Sequence, residues 1–307
     1  MIGLDGGGTQ TRAICATVDG HVLGYGEASG ANPEHNSGGR DAVRAAIDVA
    51  LTTAKLRPNQ VAACVAGLAG LNSARDQPWA DETISMGFAR SRAVNDAEVA
   101  LAGAFLLEPG VVAICGTGST VVGLTRDGVL LRSDWYHHWA GAARTLGFRA
   151  LQEVAREATA PEDRELVDAT LAEWGAADAN ELRARLRDLR DEPEEVTKRR
   201  AGGLAPQVTR LASRSPLAAR LCDELAGELA RGIELVCRDL VSTERRVSLV
   251  GSVARTPAIS SRVAALLDGV VLQEPALSPV AGAVLMAIRE LGLTIDDGVV
   301  GRLAVPA

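Results

Sequence analysis

The stretch that most constrains this chain is its beginning, MIGLDGGGTQTRAICATVDGHVLGYGEA, Met1 to Ala28. A short apolar run, Ile2 to Leu4, ends in Asp5 and three consecutive glycines, and a second apolar run follows from Ala13 to Val18. The pair Asp19-Gly20 turns the chain into a third run, His21 to Tyr25. Apolar runs broken by turn signals predict a β-meander of hairpins. The first hairpin loop is the unusual one, because Gly6, Gly7 and Gly8 have no side chains to keep an anion away. Their amides and the hydroxyls of Thr9 and Thr11 can line one concavity, a donor-rich nest for phosphate. Asp5 stands beside it and would repel a phosphate, so a divalent cation between the two is the natural reading. A Walker loop is a different object, since it needs a lysine after its last glycine. The only lysines here are Lys55 and Lys198, neither near a glycine-rich turn. A lysine-free phosphate loop between two strands points to another class of nucleotide-binding protein.

Composition bounds the rest. A chain of 307 residues with 47% hydrophobic content suffices for two ordinary domains with real cores. A net charge of −7 argues against nucleic acid or an anionic membrane as the main partner. Cys15, Cys64, Cys115, Cys222 and Cys237 lie scattered in apolar runs without a CxxC pair. They read as small buried residues of a reducing compartment, neither disulfides nor metal ligands. With an apolar strand beginning at residue 2 and no run long enough to span a bilayer, no signal peptide or membrane span is expected, and the protein is expected in the cytoplasm.

In chain order, Gly26 to Gly39 is a polar loop, and Asp41 to Leu56 carries apolar residues at helical spacing. Val61 to Leu71 reads as a buried strand ending in a glycine-rich loop at Gly70, and Pro78 to Phe88 as a further helical segment. Arg92 to Val94 makes a short strand running into Asn95-Asp96, and Ala97 to Leu107 a helix. Asp96 thus falls at a strand end and a helix start, which suits either an N-cap or a ligand-facing carboxylate. Pro109-Gly110 marks a boundary, and a similar pattern restarts. VVAICGTGSTVVGLTRDGVLLRS, Val111 to Ser133, is again strand, glycine loop, strand, Asp-Gly turn, strand. This weak internal repeat predicts domains over 1–108 and 109–307, with Gly116, Thr117, Gly118 and Ser119 facing the first loop across a cleft. Leu151 to about Val241 reads as mostly helical, Val247 to Pro257 as a strand with a glycine turn, and Ser278 to Leu291 as the last strong helix.

DGGGTQT, the Asn95-Asp96-Ala97 turn, CGTGST, AGGLAPQV (Ala201 to Val208), LVGSV and SPVAGA occur in the order of the N-acetylglucosamine kinase family. The chain resembles that family over nearly its whole length. The family includes the ATPase activators of acyl-CoA reductases and dehydratases, and its superfamily spans sugar kinases, actin and heat-shock chaperone ATPases. The resemblance implies an α/β fold of two ribonuclease-H-like domains, with ATP and Mg²⁺ in the cleft between them and a homodimer as assembly. Asp5 would hold the magnesium hydration shell. Gly7, Gly8 and Thr9 would bind the β/γ-phosphates, with Thr117 and Gly118 closing from the second domain. Ala201 with Gly202, and Gly251 with Ser252, would flank the adenosine. Asp96 matches the base that takes the proton of the attacking sugar hydroxyl. Asn32 matches the sugar-binding asparagine, with Asn36 as competitor and Gly70 nearby. Ligands are expected to drive closure about hinges near Leu107 to Gly110 and the last helix.

One segment departs from the pattern. The family's Gly-Asp-Glu-Gly-Ser stretch is replaced within SDWYHHWAGAARTLGFRAL, Ser133 to Leu151, by Trp139-Ala140 or Ala142-Ala143 at the acidic positions. The loop either packs on its own rings or forms a substrate wall rebuilt for a different ring, with Trp135 and His138 as contacts. The leading expectation is an ATP-dependent kinase acting on a sugar, amino sugar or cyclitol. A dehydratase-activator-like ATPase and a catalytically weak sugar or nucleotide sensor are the alternatives.

Overall fold

The structure, a computed structural model, describes residues 1–33, 36–189, 194–240 and 245–304. The elements in chain order begin with β1 (Ile2–Gly6), β2 (Gln10–Ala16), β3 (Val22–Ser29), α1 (Gly39–Ala54), β4 (Cys64–Leu68), α2 (Gln77–Ile84), β5 (Ser91–Asn95) and α3 (Asp96–Phe105). They continue with β6 (Gly110–Cys115), β7 (Ser119–Leu124), β8 (Leu130–Arg132), α4 (Ala143–Ala155), α5 (Arg164–Trp174), α6 (Ala179–Asp188), α7 (Glu194–Gly202), α8 (Ala205–Leu211) and α9 (Pro216–Asp239). The chain closes with β9 (Arg246–Val250), α10 (Pro257–Leu266), β10 (Val271–Leu272), α11 (Pro279–Glu290) and α12 (Asp297–Leu303). It divides into two compact units: Met1–Val112 with Val122–Leu130 and Glu274–Ala307, and Ala113–Val121 with Leu131–Gln273.

The first unit is built on a five-stranded sheet of order β3-β2-β1-β4-β5. β1 pairs antiparallel with β2, β2 antiparallel with β3, and β1, β4 and β5 run parallel. The sheet is therefore mixed, with the expected meander on one side of β1. Strand alternation puts Ile2 and Leu4 on one face, where they pack with Val43, Ile47 and Leu51 of α1. The opposite face, with Val65 and Val94, packs with Val99 of α3 and Val280 and Val284 of α11. That face also carries Gly3 and Asp5.

Backbone meets backbone where α11 lies on this face. A Cβ on Gly3 would sit 2.6 Å from the Val280 carbonyl, and one on Gly282 would sit 2.2 Å from the Val99 carbonyl and 2.4 Å from Gly103 N. The small residues of SPVAGA thus serve close packing of α11 on β1 and α3, and Ser278 caps α11 by accepting from Ala281 N. Sequence pattern read this helix at nearly its observed length, but left α12 and β10 unmarked.

The second sheet has order β10-β9-β6-β7-β8. The helical stretch of the second unit resolves into α4 to α9; residues 190–193, within that reading, and 241–244, at its end, lie outside the described residues, as do 34 and 35 of the polar loop. α9 buries Leu217, Leu221, Leu225, Leu229 and Ile233, a strict four-residue stripe along 24 residues. A satellite core gathers Leu151, Trp174, Leu182 and Leu204. Among the described residues no helix is long and apolar enough to cross a membrane.

The α11 contact yields a stability test. Gly282→Ala forces a methyl into two backbones and should destabilise the fold by about 2 kcal/mol or more. Gly301→Ala in α12, where a Cβ meets open space, should leave the melting temperature unchanged or slightly raised. Equal melting temperatures for the two variants would contradict the packing described.

Candidate functional site

β1 delivers Asp5 and Gly6 to the carboxyl end of the first sheet, where the chain turns through Gly7, Gly8 and Thr9. Gly7 N donates to Gln10 O at 3.0 Å and closes the turn. A Cβ on Gly8 would meet nothing, and Thr9 is exposed, so the outer side of the turn is open. Its inner side is held by the extension of β3: Ala31 N donates to Gly7 O at 2.9 Å, and a Cβ on Gly30 would sit 2.2 Å from Gly8 O. Only glycine at position 30 lets the turn rest there, a contribution the sequence reading missed although Ser29-Gly30 signals a strand end. Thr11, expected to add a second hydroxyl to the nest, is instead fully buried in β2 with its hydroxyl donating to Ser29 O at 2.7 Å.

The two carboxylates approach through a glycine. Asp5 is in register with Gly67 of β4, and a Cβ on Gly67 would lie 3.2 Å from the Cα of Asp96. Asp96 opens α3 but does not cap it. The cap is Asn95, whose side chain accepts from Ala97 N at 3.0 Å, while Glu98 accepts from Asn95 N at 3.2 Å. The N-cap reading of Asp96 therefore fails, because its neighbour already fills that role. Desolvation first, then the negative charge of Asp96, pushes the Asp5 carboxyl up to about 7 against the opposing pull of Arg12. A carboxylate so crowded fits a hydrated divalent cation: hard oxygen donors face a site where added positive charge relieves both desolvation and repulsion.

On the same unit, Asn32 is buried, and its Oδ1 lies 2.9 Å from where a Cβ on Gly70 would stand. Asn36 instead braces the loop, its Nδ2 donating to Gly30 O at 2.6 Å and its Oδ1 accepting from Gly38 N at 3.0 Å.

The second unit holds the remaining positions. Gly116 N donates to Gly118 O at 2.9 Å, leaving Thr117 and Gly118 exposed at the tip of the β6–β7 turn. The loop after β9 folds onto the end of β6, with Val253 N and Ala254 N both donating to Cys115 O, at 3.1 and 3.0 Å. Gly251 makes this approach possible: its φ is +100°, and a Cβ there would lie 2.5 Å from Cys115 O. Ser252 is thereby set beside Gly116. Thr117, Gly202 and Ser252 line a cavity of about 910 Å³ together with Thr209, Arg210, Thr256 and Arg262. That volume suits a nucleoside-sized ligand. Ala201 is fully buried, so Gly202 rather than Ala201 forms the wall. The sequence reading gave no site role to the wall residues of α8 and α10, such as Thr209 and Arg262.

The segment after β8 is split in its orientation. Trp135 and Trp139 are 58% and 68% exposed, and the Trp139 ring meets His137 edge-on at 5.9 Å. His138 turns the other way, its Nε2 donating to the Glu228 carbonyl of α9 at 2.7 Å. Trp135 is thus open to a ligand, whereas the His138 ring is engaged with α9.

The sequence pattern of the BadF/BadG/BcrA/BcrD ATPase family matches residues 2–287. The chain belongs to this family. An N-acetylmuramic acid/N-acetylglucosamine kinase of Clostridium acetobutylicum is 30% identical over 162 residues, which cover 50% of this chain and 52% of that protein. The match therefore spans about half the relative's length. Among solved structures, a Chromobacterium violaceum protein proposed to be an N-acetylglucosamine kinase aligns with a TM-score of 0.71 at 24% identity, over 94% of this chain and 98% of that one. A ROK-family glucokinase of Streptomyces griseus, solved with glucose and AMPPNP, aligns at 0.61 and 16% identity, over 94% of this chain and 97% of that one. These likenesses carry the fold: this family member shares the two-sheet α/β architecture of those structures.

The electrostatics of Asp5 set a pH dependence. Its folded pKa, about 7, lies above the unfolded value of 3.8, so the fold holds more protons between these limits and loses stability as pH rises through them. Asp5→Asn removes that penalty. With the residual solvent exposure of Asp5 discounted, the ligand-free variant should gain on the order of 1 kcal/mol at pH 8, about 2 °C in melting temperature, with the gain shrinking as pH falls and vanishing only below the unfolded pKa of 3.8. A pH-independent difference would show that Asp5 is not electrostatically strained.

Proposed function

We propose that the protein is an ATP-dependent kinase that transfers the γ-phosphoryl group to a hydroxyl of a sugar, amino sugar or cyclitol. The observation that carries this reading is Asp96: a carboxylate at a strand end, relieved of capping by Asn95 and close enough to Asp5 to raise its pKa. A second acid beside a phosphate-type turn has a use when a hydroxyl must lose its proton.

On this reading the adenosine of ATP occupies the cavity lined by Gly202, Ser252 and Thr256, and Thr117 and Gly118 reach its phosphates. Gly7, Gly8 and Thr9 offer a further set of donors for phosphate oxygens. Asp5 would help hold a hydrated Mg²⁺, which would supply neutralising charge for the transferring group. Asn32 and Gly70 border the acceptor. The acceptor oxygen bonds to the γ-phosphorus as the bond to the ADP oxygen breaks, and the hydroxyl proton passes to Asp96. In-line positioning does most of the work.

The Clostridium acetobutylicum relative supports an amino-sugar-like acceptor. The segment from Trp135 to Gln152, without a carboxylate, argues that the acceptor is not bound as N-acetylglucosamine is expected to be, with Trp135 offering a ring face. The activator-type ATPase reading requires clustered cysteine ligands. All five cysteines are buried, and desolvation raises the thiols of Cys64 and Cys115 to about 12 and those of Cys222 and Cys237 to about 11. Such enclosed neutral thiols suit packing.

An ADP-release screen across sugars, amino sugars and cyclitols with Mg²⁺ tests the proposal. Acceptor-dependent ADP release is expected, with N-acetylglucosamine turned over weakly. Asp96→Asn should lower turnover by about 10²–10⁴-fold with ADP affinity nearly unchanged. ATP hydrolysis indifferent to every acceptor, or an Asp96→Asn variant of near-normal turnover, would overturn it.

A further inference from the structure

The second phosphate-type turn has an open tip. A Cβ on Gly118 would meet nothing, Thr117 is exposed, and one turn hydrogen bond joins Gly116 to Gly118. Its flanks are fixed instead by the segment Ala140 to Ala143. Ser119 Oγ donates to Ala140 O at 2.5 Å, Cys115 Sγ lies 3.6 Å from Gly141 O, and Ala143 N donates to Gly116 O at 2.9 Å. The turn therefore inherits its position from residues 140–143.

That segment leads into α4, where Ala142 N donates to Thr145 Oγ1 at 3.1 Å. It is short, rich in alanine and glycine, and has no carboxylate from Trp135 to Gln152. A charged anchor comes from α9. Glu228 Oε2 accepts from Gly141 N at 2.6 Å, and Oε1 accepts from Arg149 Nη2 at 2.9 Å. The carbonyl of the same residue accepts from His138, so Glu228 holds both the segment and the residues leading into it. A Cβ on Gly141 would lie 2.9 Å from Glu228 Oε2, which shows how closely the carboxylate is applied. Arg149 is held in turn by Glu224 at 2.9 Å, one helical turn earlier on α9.

We infer that Glu228 is a positioning residue for the β6–β7 turn: its carboxylate, through Gly141 and with Arg149, sets the donors that meet the phosphates of a bound nucleotide. This rests on the nucleotide reading of the second-unit cavity, and it assigns Glu228 no contact with the ligand. Charge-assisted bonds to a backbone amide hold geometry better than neutral ones, so losing the carboxylate should loosen the turn while leaving the cavity wall on α8 and α10 intact.

The test compares adenosine with ADP, both with Mg²⁺, by isothermal titration on the full chain. In the wild type, ADP should bind more tightly than adenosine. Glu228→Ala should weaken ADP about tenfold or more while adenosine stays within about twofold. Glu228→Gln, which still accepts from Gly141, should recover most of the ADP affinity, and Arg149→Met should show a smaller loss in the same direction. If Glu228→Ala does not fold, the Arg149→Met and Glu228→Gln series decides by the same ratio. Equal losses for both ligands, or an unchanged ADP-to-adenosine ratio, would overturn the positioning role. A wild type that binds neither ligand would sink the nucleotide reading, and the inference with it.

Discussion

A carboxylate at the end of a central strand is the constraint on which the rest of this molecule turns. β1 is flanked by β2 and β4, covered on one face by α1 and on the other by α3 and α11. Its last residues cannot swing away to find water, because register and α11 both pin the strand. Asp5 is therefore held in a desolvated place next to a second acid, and its carboxyl is shifted to about 7. Nothing in folding favours that arrangement; a strained charge kept in place is a feature of sites that use it. Gly67, Asn95 and Gly30 all serve it, by admitting Asp96, by capping α3 in its stead, and by seating the open turn.

The second unit solves a different problem. It presents a cavity bordered by separate chain segments, among them those at Thr117, Gly202 and Ser252. Each is held by backbone contacts that demand small residues, at Gly251 over Cys115 and at Gly147, where a Cβ would lie 1.7 Å from Ala201 O. The glycine content of the motifs is as much about chain crossing as about leaving room for a ligand.

Much of this was legible in the sequence. The apolar runs gave the meander, and DGGGT and CGTGST marked turns that the structure places at strand ends. SPVAGA opened the last strong helix, and the structure adds that its small residues serve close packing. What could not be read was which polar groups are already engaged. Thr11 and Asn36 read as candidate ligand contacts, and only the structure shows them bonded to Ser29 O and Gly30 O. Asp96 looked like a cap until Asn95 was seen to be one. Glu228 was invisible because its partner Gly141 lies 87 residues away, and a lone glutamate on an amphipathic helix carries no signal.

If Asp5 is strained because it awaits positive charge, binding should expel its proton. Titrating Mg²⁺-loaded ADP calorimetrically at pH 7, in buffers of different ionisation enthalpy, measures this directly. With a carboxyl near pH 7, about half a proton should leave per bound nucleotide, and Asp5→Asn should show none of that release. Binding to the wild type without proton release, or the same release from Asp5→Asn, would contradict the account.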